Sequence, residues 1–282
     1  MSKYLKQLML MVLCLFVSTG AAFAQKIVIK GSTTVLPIAQ STLEAFMKAN
    51  QGVNISLSGG GSGEGIKALI DKSTDIANSS RAIKDKEIEL AKSKGVNPVE
   101  TIVAIDAIVP IVNPRNKVKN LSIDQLSQIY QGKITNWKEV GGDDLQIVVI
   151  SRDSSSGTFE AWAEMVLNKA KVAPRAQMQA SSGAIVQAVS KNRYAVGYIG
   201  LGYINKSIKP LTVNGIEATL DNAFSKAYPV ARPLYMYTNG QPTGQTAKYI
   251  DFVLSPAGQK LVAKDGYVPV AGTKAAPAKG KK

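Results

Sequence analysis

One local pattern recurs along the chain: a short apolar run, then glycine with serine or threonine, then an amphipathic stretch. The clearest copy is residues 151–167 (S-R-D-S-S-S-G-T-F-E-A-W-A-E-M-V-L), which follow the apolar, β-branched run 145–150. Such a run predicts a buried strand, and the stretch after it predicts a helix. Strands that alternate with helices indicate an α/β protein with largely parallel sheets.

Five strand-to-helix corners share this composition, at residues 31–34, 58–63, 78–81, 151–158 and 177–183. A single corner of this kind is most simply a capped helix after a polar loop. In α/β sheets, however, ligands bind beyond the carboxyl ends of the strands, where such corners lie. Helix N-termini, hydroxyl groups and the guanidinium of Arg152 would together bind an oxyanion. Five such corners therefore favour an anion site.

Composition excludes several kinds of catalytic site. The chain has no histidine, and its only cysteine is Cys14, so zinc sites built on these residues, Ser-His triads and Cys-His dyads are excluded. The G-S-G-E-G stretch lacks the G-K-[ST] ending of a phosphate-binding loop, so nucleotide hydrolysis is not indicated. We therefore expect no enzyme, no catalytic residue, no metal and no cofactor.

The two ends of the chain predict export and a basic tail. Residues 1–24 combine Lys3 and Lys6, an apolar segment and A-F-A, which is typical of a cleaved signal peptide. Cys14 lacks the preceding small residues of a lipoprotein signal, so we expect a periplasmic protein without a lipid anchor. Residues 274–282 predict a disordered basic tail.

The net charge of the whole chain is +14, and the lysines of these two ends account for six positive charges. The remaining surplus on residues 25–273 fits an anion-binding or surface-adhering protein. The lysines are scattered rather than clustered with aromatic residues, so no nucleic acid is expected as a partner.

The length of the mature chain predicts two lobes. Apolar, strand-like stretches at 107–113 and 194–204 are the candidate crossings between them. One lobe would comprise residues 25–108 and 204–273, and the other residues 109–203. A ligand between the lobes would close them by a hinge motion.

Six motifs resemble the phosphate-binding protein of bacterial phosphate ABC transporters. They are G-S-T-T-V-L-P (31–37), S-G-G-G-S-G-E-G-I (58–66), D-I-A-N-S-S-R (75–81), L-S-Q-I-Y-Q-G-K-I-T-N-W (126–137), S-R-D-S-S-S-G-T-F (151–159) and Y-A-V-G-Y-I-G (194–200). They occur in order through essentially the whole mature chain. The resemblance implies the periplasmic-binding-protein fold, two α/β lobes with a ligand cleft and two hinge-crossing strands. It also implies a receptor, which we expect to be monomeric, that binds inorganic phosphate and delivers it to the membrane permease of an ABC transporter.

The resemblance also assigns site residues by position. The threonine pair falls on Thr33 and Thr34, and the serine of the glycine-rich loop on Ser62. The arginine falls on Arg152. Its S-G-T donors fall on Ser156, Gly157 and Thr158.

One position departs from the family pattern. Where well-known members have an aspartate that accepts the proton of hydrogen phosphate, this chain has Ser80, followed by Arg81. Arg81 is either a further cation of the site or an ordinary turn residue. Asp153 either orients Arg152 or replaces the missing acceptor, and we favour Ser80 as the acceptor.

Three other functions stay open. The same fold could bind another oxyanion, namely sulfate, molybdate or a phosphonate. An exported phosphatase-like enzyme and an adhesin that uses the basic tail are less favoured alternatives.

Overall fold

A computed structural model describes residues 26–270 of the 282-residue chain. The predicted signal peptide and the predicted basic tail lie outside these residues. The strands are β1 (Lys26–Gly31), β2 (Asn54–Gly59), β3 (Ile76–Ser79), β4 (Pro98–Val112), β5 (Asn120–Leu121), β6 (Val148–Arg152), β7 (Gln177–Gln179), β8 (Ala195–Gly200), β9 (Lys209–Pro210), β10 (Thr212–Val213) and β11 (Ala231–Asn239).

The helices alternate with the strands, as the sequence pattern predicts. They are α1 (Leu36–Ala49), α2 (Ser62–Ile70), α3 (Asp85–Ser93), α4 (Ile123–Gln131), α5 (Gly157–Met165), α6 (Ser182–Lys191), α7 (Leu220–Phe224), α8 (Gly244–Leu254) and α9 (Pro256–Lys264). Short 3₁₀ helices occupy Trp137–Val140 and Leu201–Tyr203. No helix within residues 26–270 combines the length and the apolar character that a membrane span needs.

The main sheet is mixed rather than largely parallel. Its strand order is β2-β1-β3-β11-β4-β8-β6-β7, and β9 pairs with β4. β1 is parallel to β2 and β3, and β6 is parallel to β7 and β8. The long strands β4 and β11 run antiparallel to their neighbours. The prediction of largely parallel strands was therefore correct for the two ends of the sheet and wrong for its middle, where β4 and β11 join the ends.

Two main hydrophobic clusters divide the described chain into lobes. One contains residues of β1, β2, α1 and α8, together with Val103 and Ala104 of β4. The other begins at Ala107 and includes residues of α4, β6, α5, α6 and β8. We call residues 26–106 with 231–267 lobe I, and residues 107–230 lobe II.

The second crossing lies later than predicted. Lobe II keeps Ile208, Leu211, Val213, Ala223 and Val230 in its hydrophobic cluster, so the chain returns to lobe I at the start of β11. The predicted boundary at residues 203 and 204 is therefore corrected to residues 230 and 231. The apolar run at 194–199 misled the prediction because β8 is a fully buried strand, and burial on both faces gives the same pattern as a crossing.

This topology places the five polar corners at two facing edges. In lobe I, the parallel strands β1, β2 and β3 each end at a corner that leads to α1, α2 or α3. In lobe II, the parallel strands β6 and β7 lead in the same way to α5 and α6. Parallel strands present their carboxyl ends at one edge of a sheet, so each lobe offers its corners together.

Candidate functional site

The corners of lobe I bring three hydroxyl-bearing residues together. The Ser80 backbone N–H donates to Ser62 Oγ at 2.9 Å, and the two Oγ atoms lie 3.2 Å apart. Thr34, at the end of the first corner, is fully buried, as are Ser62 and Ser80 to within 1%. Buried hydroxyls at this density need partners, and each can donate or accept by rotating its hydrogen.

The corner of lobe II meets these hydroxyls directly. Thr158 Oγ1 lies 2.7 Å from Thr34 Oγ1 and 3.4 Å from Ser80 Oγ. Gly157 packs so closely that an added Cβ would lie 2.3 Å from Ser62 Oγ. Only glycine fits this position without displacing the serine. The structure thus brings Thr34, Ser62, Ser80, Gly157 and Thr158 together from both lobes.

Ser156 begins the helix that carries Thr158. Its Oγ accepts a hydrogen bond from the Phe159 backbone N–H at 3.2 Å, which caps α5. The backbone N–H groups of Gly157 and Thr158 belong to the first turn, where a helix leaves its N–H groups without intrahelical acceptors and where its dipole favours an anion. The Ser156 side chain is 1% exposed and keeps its own hydrogen for donation.

Arg152 ends β6 and is 1% exposed. Its Nε donates to Gln179 O and its Nη2 to Ala180 O, each at 3.0 Å, and Nη1 lies 3.4 Å from Ser182 Oγ. Burial lowers the pKa of Arg152, which means that its positive charge is costly where it stands. Carbonyl oxygens orient the guanidinium without neutralising it, so the charge remains available to an anion.

Thr33 reaches the same region from lobe I. Its Oγ1 accepts a hydrogen bond from the Ser182 backbone N–H at 3.3 Å and lies 3.4 Å from Ser182 Oγ. Ser182 therefore links Thr33 to Arg152. The sequence pointed to the corner that contains Ser182, but not to this residue, because a serine next to a glycine is common at helix starts.

Asp153 lies beside Arg152 but holds it only loosely. Its Oδ2 is 3.8 Å from Arg152 Nη2, beyond hydrogen-bonding distance. Its Oδ1 accepts from the Ser155 backbone N–H at 2.8 Å and from the Ser155 hydroxyl. Asp153 thus mainly shapes its own turn, and the two carbonyl groups do most of the orienting that the sequence assigned to it.

The structure does not bring the Arg81 guanidinium among these hydroxyls. Its Nη1 and Nη2 donate to the Glu87 carboxylate at 2.8 and 2.7 Å, and its Nε lies 2.9 Å from Glu160 Oε2. Although burial lowers the pKa of Arg81, these carboxylates raise it above its ordinary value. Arg81 lines a neighbouring groove of about 770 Å³ between the lobes. Its charge is neutralised there, so the reading of Arg81 as a site cation is not supported.

The sequence did not point to a buried ion pair beneath the hydroxyls. Arg232 Nη2 lies 3.1 Å from Asp106 Oδ2, and the two residues are 6% and 0% exposed. Arg232 also donates to Thr158 Oγ1 at 2.9 Å. Burial raises the pKa of Asp106 and lowers that of Arg232. Arg232 is the only charged residue of β11, and Asp106 lies within an apolar run of β4; a single charged residue in an otherwise buried strand was the only local signal.

Tyrosines support the site from behind. Tyr203 Oη donates to Thr33 O at 2.5 Å, and Tyr267 Oη donates to Thr34 O at 2.7 Å. Tyr198 Oη accepts from the Arg152 backbone N–H at 3.2 Å, and burial raises the pKa of Tyr198 to about 12. These phenols stay neutral at physiological pH and fix the backbone at both corners.

The whole arrangement suits a small oxyanion. It combines one buried guanidinium, which has no close ion pair among the described residues, with hydroxyls and helix N-termini from both lobes, and these are the groups that bind oxyanions in proteins. Within residues 26–270, no group of three or more Asp or Glu side chains is placed to hold a metal ion.

Comparison with known proteins agrees with this chemistry. Residues 17–257 match the model of the PBP superfamily domain. The chain is similar to the phosphate-binding protein PstS of Borreliella burgdorferi, with 35% identity over 87% of this chain and 91% of the relative. It is also similar to the phosphate-binding protein PstS of Bacillus subtilis, with 32% identity over 86% of this chain and 80% of the relative.

Solved structures show the same similarity. A protein from Clostridium perfringens, described as a phosphate ABC transporter substrate-binding protein with bound phosphate, has a TM-score of 0.82 and 38% identity, over 87% of this chain and 100% of that one. An ABC-type phosphate transport receptor from Vibrio cholerae has a TM-score of 0.70 and 32% identity, over 86% of this chain and 99% of that one.

Proposed function

Because the chain belongs to the PBP superfamily and, within it, to the phosphate-binding proteins named PstS, we propose that it is an extracytoplasmic receptor. It would bind inorganic phosphate between its lobes. The fold is the periplasmic-binding-protein fold of that family. The receptor would deliver phosphate to the permease of an ABC transporter. The relatives are substrate-binding receptors, and we propose that this chain likewise binds without catalysis, as a monomer in the periplasm.

One observation carries the proposal: Arg152 is buried beside hydroxyls of both lobes, and the carboxylate that faces it, Asp153, stays 3.8 Å away. Arg81 and Arg232, the other buried arginines among the described residues, each face a carboxylate within 3.1 Å. A buried charge without a partner costs free energy that a bound anion would recover. An anion at this place would therefore stabilise the closed arrangement of the lobes.

We assign the phosphate donors as the guanidinium of Arg152, the backbone N–H groups at the start of α5 and a set of hydroxyl groups. The donor hydroxyl groups are those of Thr33, Thr34, Ser62, Ser156 and Thr158, and the Ser80 hydroxyl accepts the proton of hydrogen phosphate. Asp153 is a turn residue that supports Arg152, and Arg81 is left out of the site.

The alternative of another oxyanion is decided by calorimetry on the mature protein. The protein is unfolded and refolded to remove bound ligand, then titrated with phosphate, sulfate and molybdate. We expect phosphate to bind most tightly. A preference for sulfate or molybdate at every pH would reject phosphate as the ligand. The protein would then be a receptor for another oxyanion. Turnover of a chromogenic phosphomonoester would reject the proposal that this protein binds phosphate without catalysis.

A further inference from the structure

Arg232 contacts both lobes at the bottom of the hydroxyl cluster. It belongs to β11 of lobe I, and its Nη1 donates to the backbone oxygens of Ser80 at 2.8 Å and Gly157 at 3.3 Å. Its Nη2 donates to Asp106 Oδ2 and to Thr158 Oγ1. Because Asp106 neutralises its charge, Arg232 is not itself suited to be the anion ligand.

The contact with Thr158 has a direction. A guanidinium can only donate, so Thr158 Oγ1 must accept from Arg232. One lone pair of the hydroxyl is thereby occupied, and its single hydrogen must point toward another partner. The groups nearest to it are Thr34 Oγ1 and Ser80 Oγ, which face the same cluster.

We infer that Arg232 is a positioning residue of the anion site: by occupying the acceptor side of Thr158 Oγ1, it turns the Thr158 hydroxyl into a fixed donor toward the bound anion. Hydroxyls that are free to rotate lose orientational freedom when an anion binds, and an oriented donor does not. This inference rests on the proposed phosphate-binding function.

The same contact links donor orientation to lobe closure. Arg232 and Asp106 belong to lobe I, and their partners Gly157, Thr158 and Leu201 belong to lobe II. The Leu201 N–H donates to Asp106 Oδ1 at 2.9 Å. Thr158 is therefore oriented only when the lobes are closed. In the open protein its hydroxyl would rotate freely, so the full donor set exists only around an enclosed anion.

The inference is tested by combining Arg232→Lys with changes at two hydroxyls. Lysine keeps the positive charge opposite Asp106 but lacks the planar fork that serves four acceptors. The substitution is made in the unsubstituted protein, in Thr158→Val, in Thr158→Ser and in Ser156→Ala. Ser156→Ala is the matched control, because it removes a hydroxyl of the same corner whose described partner is the Phe159 N–H rather than Arg232. Phosphate affinity is measured by calorimetry, and folding by thermal unfolding.

We expect Arg232→Lys to raise the phosphate Kd about tenfold in the unsubstituted protein and in Ser156→Ala. In Thr158→Val the same change should have almost no effect, because the hydroxyl it orients is gone, and Thr158→Ser should restore the effect. An equal loss in all four backgrounds would show that Arg232 acts only through general packing and would overturn the inference.

If Arg232→Lys does not fold, a second variant tests the inference. Arg232→Gln with Asp106→Asn removes both buried charges together, and it should show the same dependence on the Thr158 hydroxyl; additive losses would again overturn the inference. Failure of the proposed function is distinguishable, because the unsubstituted protein would then bind no phosphate in the first titration.

Discussion

The three buried arginines near the cleft differ in how their charge is balanced. Arg81 faces Glu87 and Glu160, Arg232 faces Asp106, and Arg152 faces carbonyl oxygens with Asp153 at 3.8 Å. The first two are ion pairs of the folded protein. Among the described residues, Arg152 has no carboxylate within 3.1 Å, so we propose that its charge binds the ligand, and the predicted contributions of these arginines to phosphate binding follow from this difference.

Arg152→Ala should therefore weaken phosphate binding severely. Truncating one partner of a buried charge pair costs roughly 2–5 kcal/mol, or about thirty-fold to a few thousand-fold in Kd. The control is Lys138→Ala, because Lys138 is exposed and paired with Asp144 at 2.9 Å, so its loss should change Kd little. Calorimetry measures both. Equal losses would mean that general positive charge, and not a fitted site, binds the anion.

We propose Ser80 as the hydroxyl that accepts the proton of hydrogen phosphate. Ser62 Oγ already accepts from the Ser80 N–H, and Thr158 Oγ1 accepts from Arg232, whereas the described partners of Ser80 Oγ are hydroxyls alone. Sulfate carries no proton to donate, so an acceptor favours phosphate. The Asp153 carboxylate is occupied by Ser155 and is not expected to serve.

This assignment predicts how the phosphate-to-sulfate affinity ratio responds to substitution. Ser80→Ala should lower the ratio about tenfold, and Ser80→Asp should raise it, because a carboxylate that meets sulfate would be a buried unpaired charge. Asp153→Asn should leave the ratio unchanged. Competition titrations at several pH values measure the three ratios. A ratio that collapses in Asp153→Asn and not in Ser80→Ala would reverse the assignment.

The sequence revealed the site residues that local patterns mark. It did not reveal those that take part through contacts between distant parts of the chain. Thr34, Ser62 and Thr158 belong to corners whose local composition is visible along the chain. Arg232 and Asp106 take part through contacts between residues 126 positions apart, which no local pattern records. Arg81 was a candidate site cation because it follows Ser80, and Glu87, six residues later, is the partner that decides for the structural alternative.

At the scale of elements, the motifs at 126–137 and 194–200 support the site without lining it. Tyr130 of α4, Trp162 of α5 and Tyr198 of β8 form one aromatic cluster, in which Trp162 stacks on Tyr198 with ring centroids 4.5 Å apart. Tyr130 Oη donates to Ile150 O at 3.2 Å. The cluster thus fixes the end of β6, where Arg152 begins to face the cleft.

Helix α3 shows how one carboxylate serves two structural tasks. Glu87 accepts from the Lys84 backbone N–H at the helix start and from Arg81. Although burial raises the pKa of Glu87, the hydrogen bonds from Arg81 and Lys84 lower it below its ordinary value of 4.5. The ionised form is thus favoured in the folded protein.

This pKa shift predicts a pH-dependent contribution to stability. A carboxylate with a lowered pKa stabilises the folded state above the unfolded pKa and loses this contribution as pH falls through the folded pKa. Glu87→Gln should cost about 1 kcal/mol of unfolding free energy at neutral pH and progressively less below pH 4.5. Urea unfolding at neutral and acidic pH measures it, with Glu89→Gln, an exposed residue of the same helix, as control. A cost that does not change with pH would contradict the argument.

At the scale of the whole molecule, the described arrangement is closed, and several contacts join the lobes beyond the anion site. Ser155 O accepts from the Gly63 N–H at 2.9 Å, and Ser155 Oγ lies 2.9 Å from Gly60 O. Glu160 of lobe II forms ion pairs with Arg81 and Lys84 of lobe I. These contacts exist only when the lobes meet, so they stabilise the closed state relative to the open one.

Removing the ion pairs between the lobes should shift the protein toward the open state. Partly exposed ion pairs contribute up to about 1 kcal/mol, so Glu160→Gln should raise the phosphate Kd about two- to fivefold by lowering the closed population. Small-angle X-ray scattering should show a larger radius of gyration for this variant at subsaturating phosphate. Glu164→Gln, an exposed residue of the same helix, is the control. A Kd unchanged by Glu160→Gln would mean that these pairs do not bias closure.

The two-lobe organisation could be predicted from chain length and repeated corners, but not the position of the second crossing. β9, β10 and α7 are short, and their local sequence carries no sign of the lobe they join. That choice depends on packing against β4 and β5, which is decided only when the chain is folded.

The aromatic cluster also gives the protein an optical property. Trp162 is one of two tryptophans in the chain and stacks on Tyr198, whose hydroxyl accepts from the Arg152 backbone N–H. The other, Trp137, donates its indole N–H to Tyr194 O at 2.9 Å and belongs to a different motif. Tyr198 thus links the indole of Trp162 to the backbone of Arg152, the residue proposed to bind the ligand. A protein in which Trp137 is replaced by phenylalanine would be a label-free fluorescent sensor, whose emission reports occupancy of the cleft through a single chromophore.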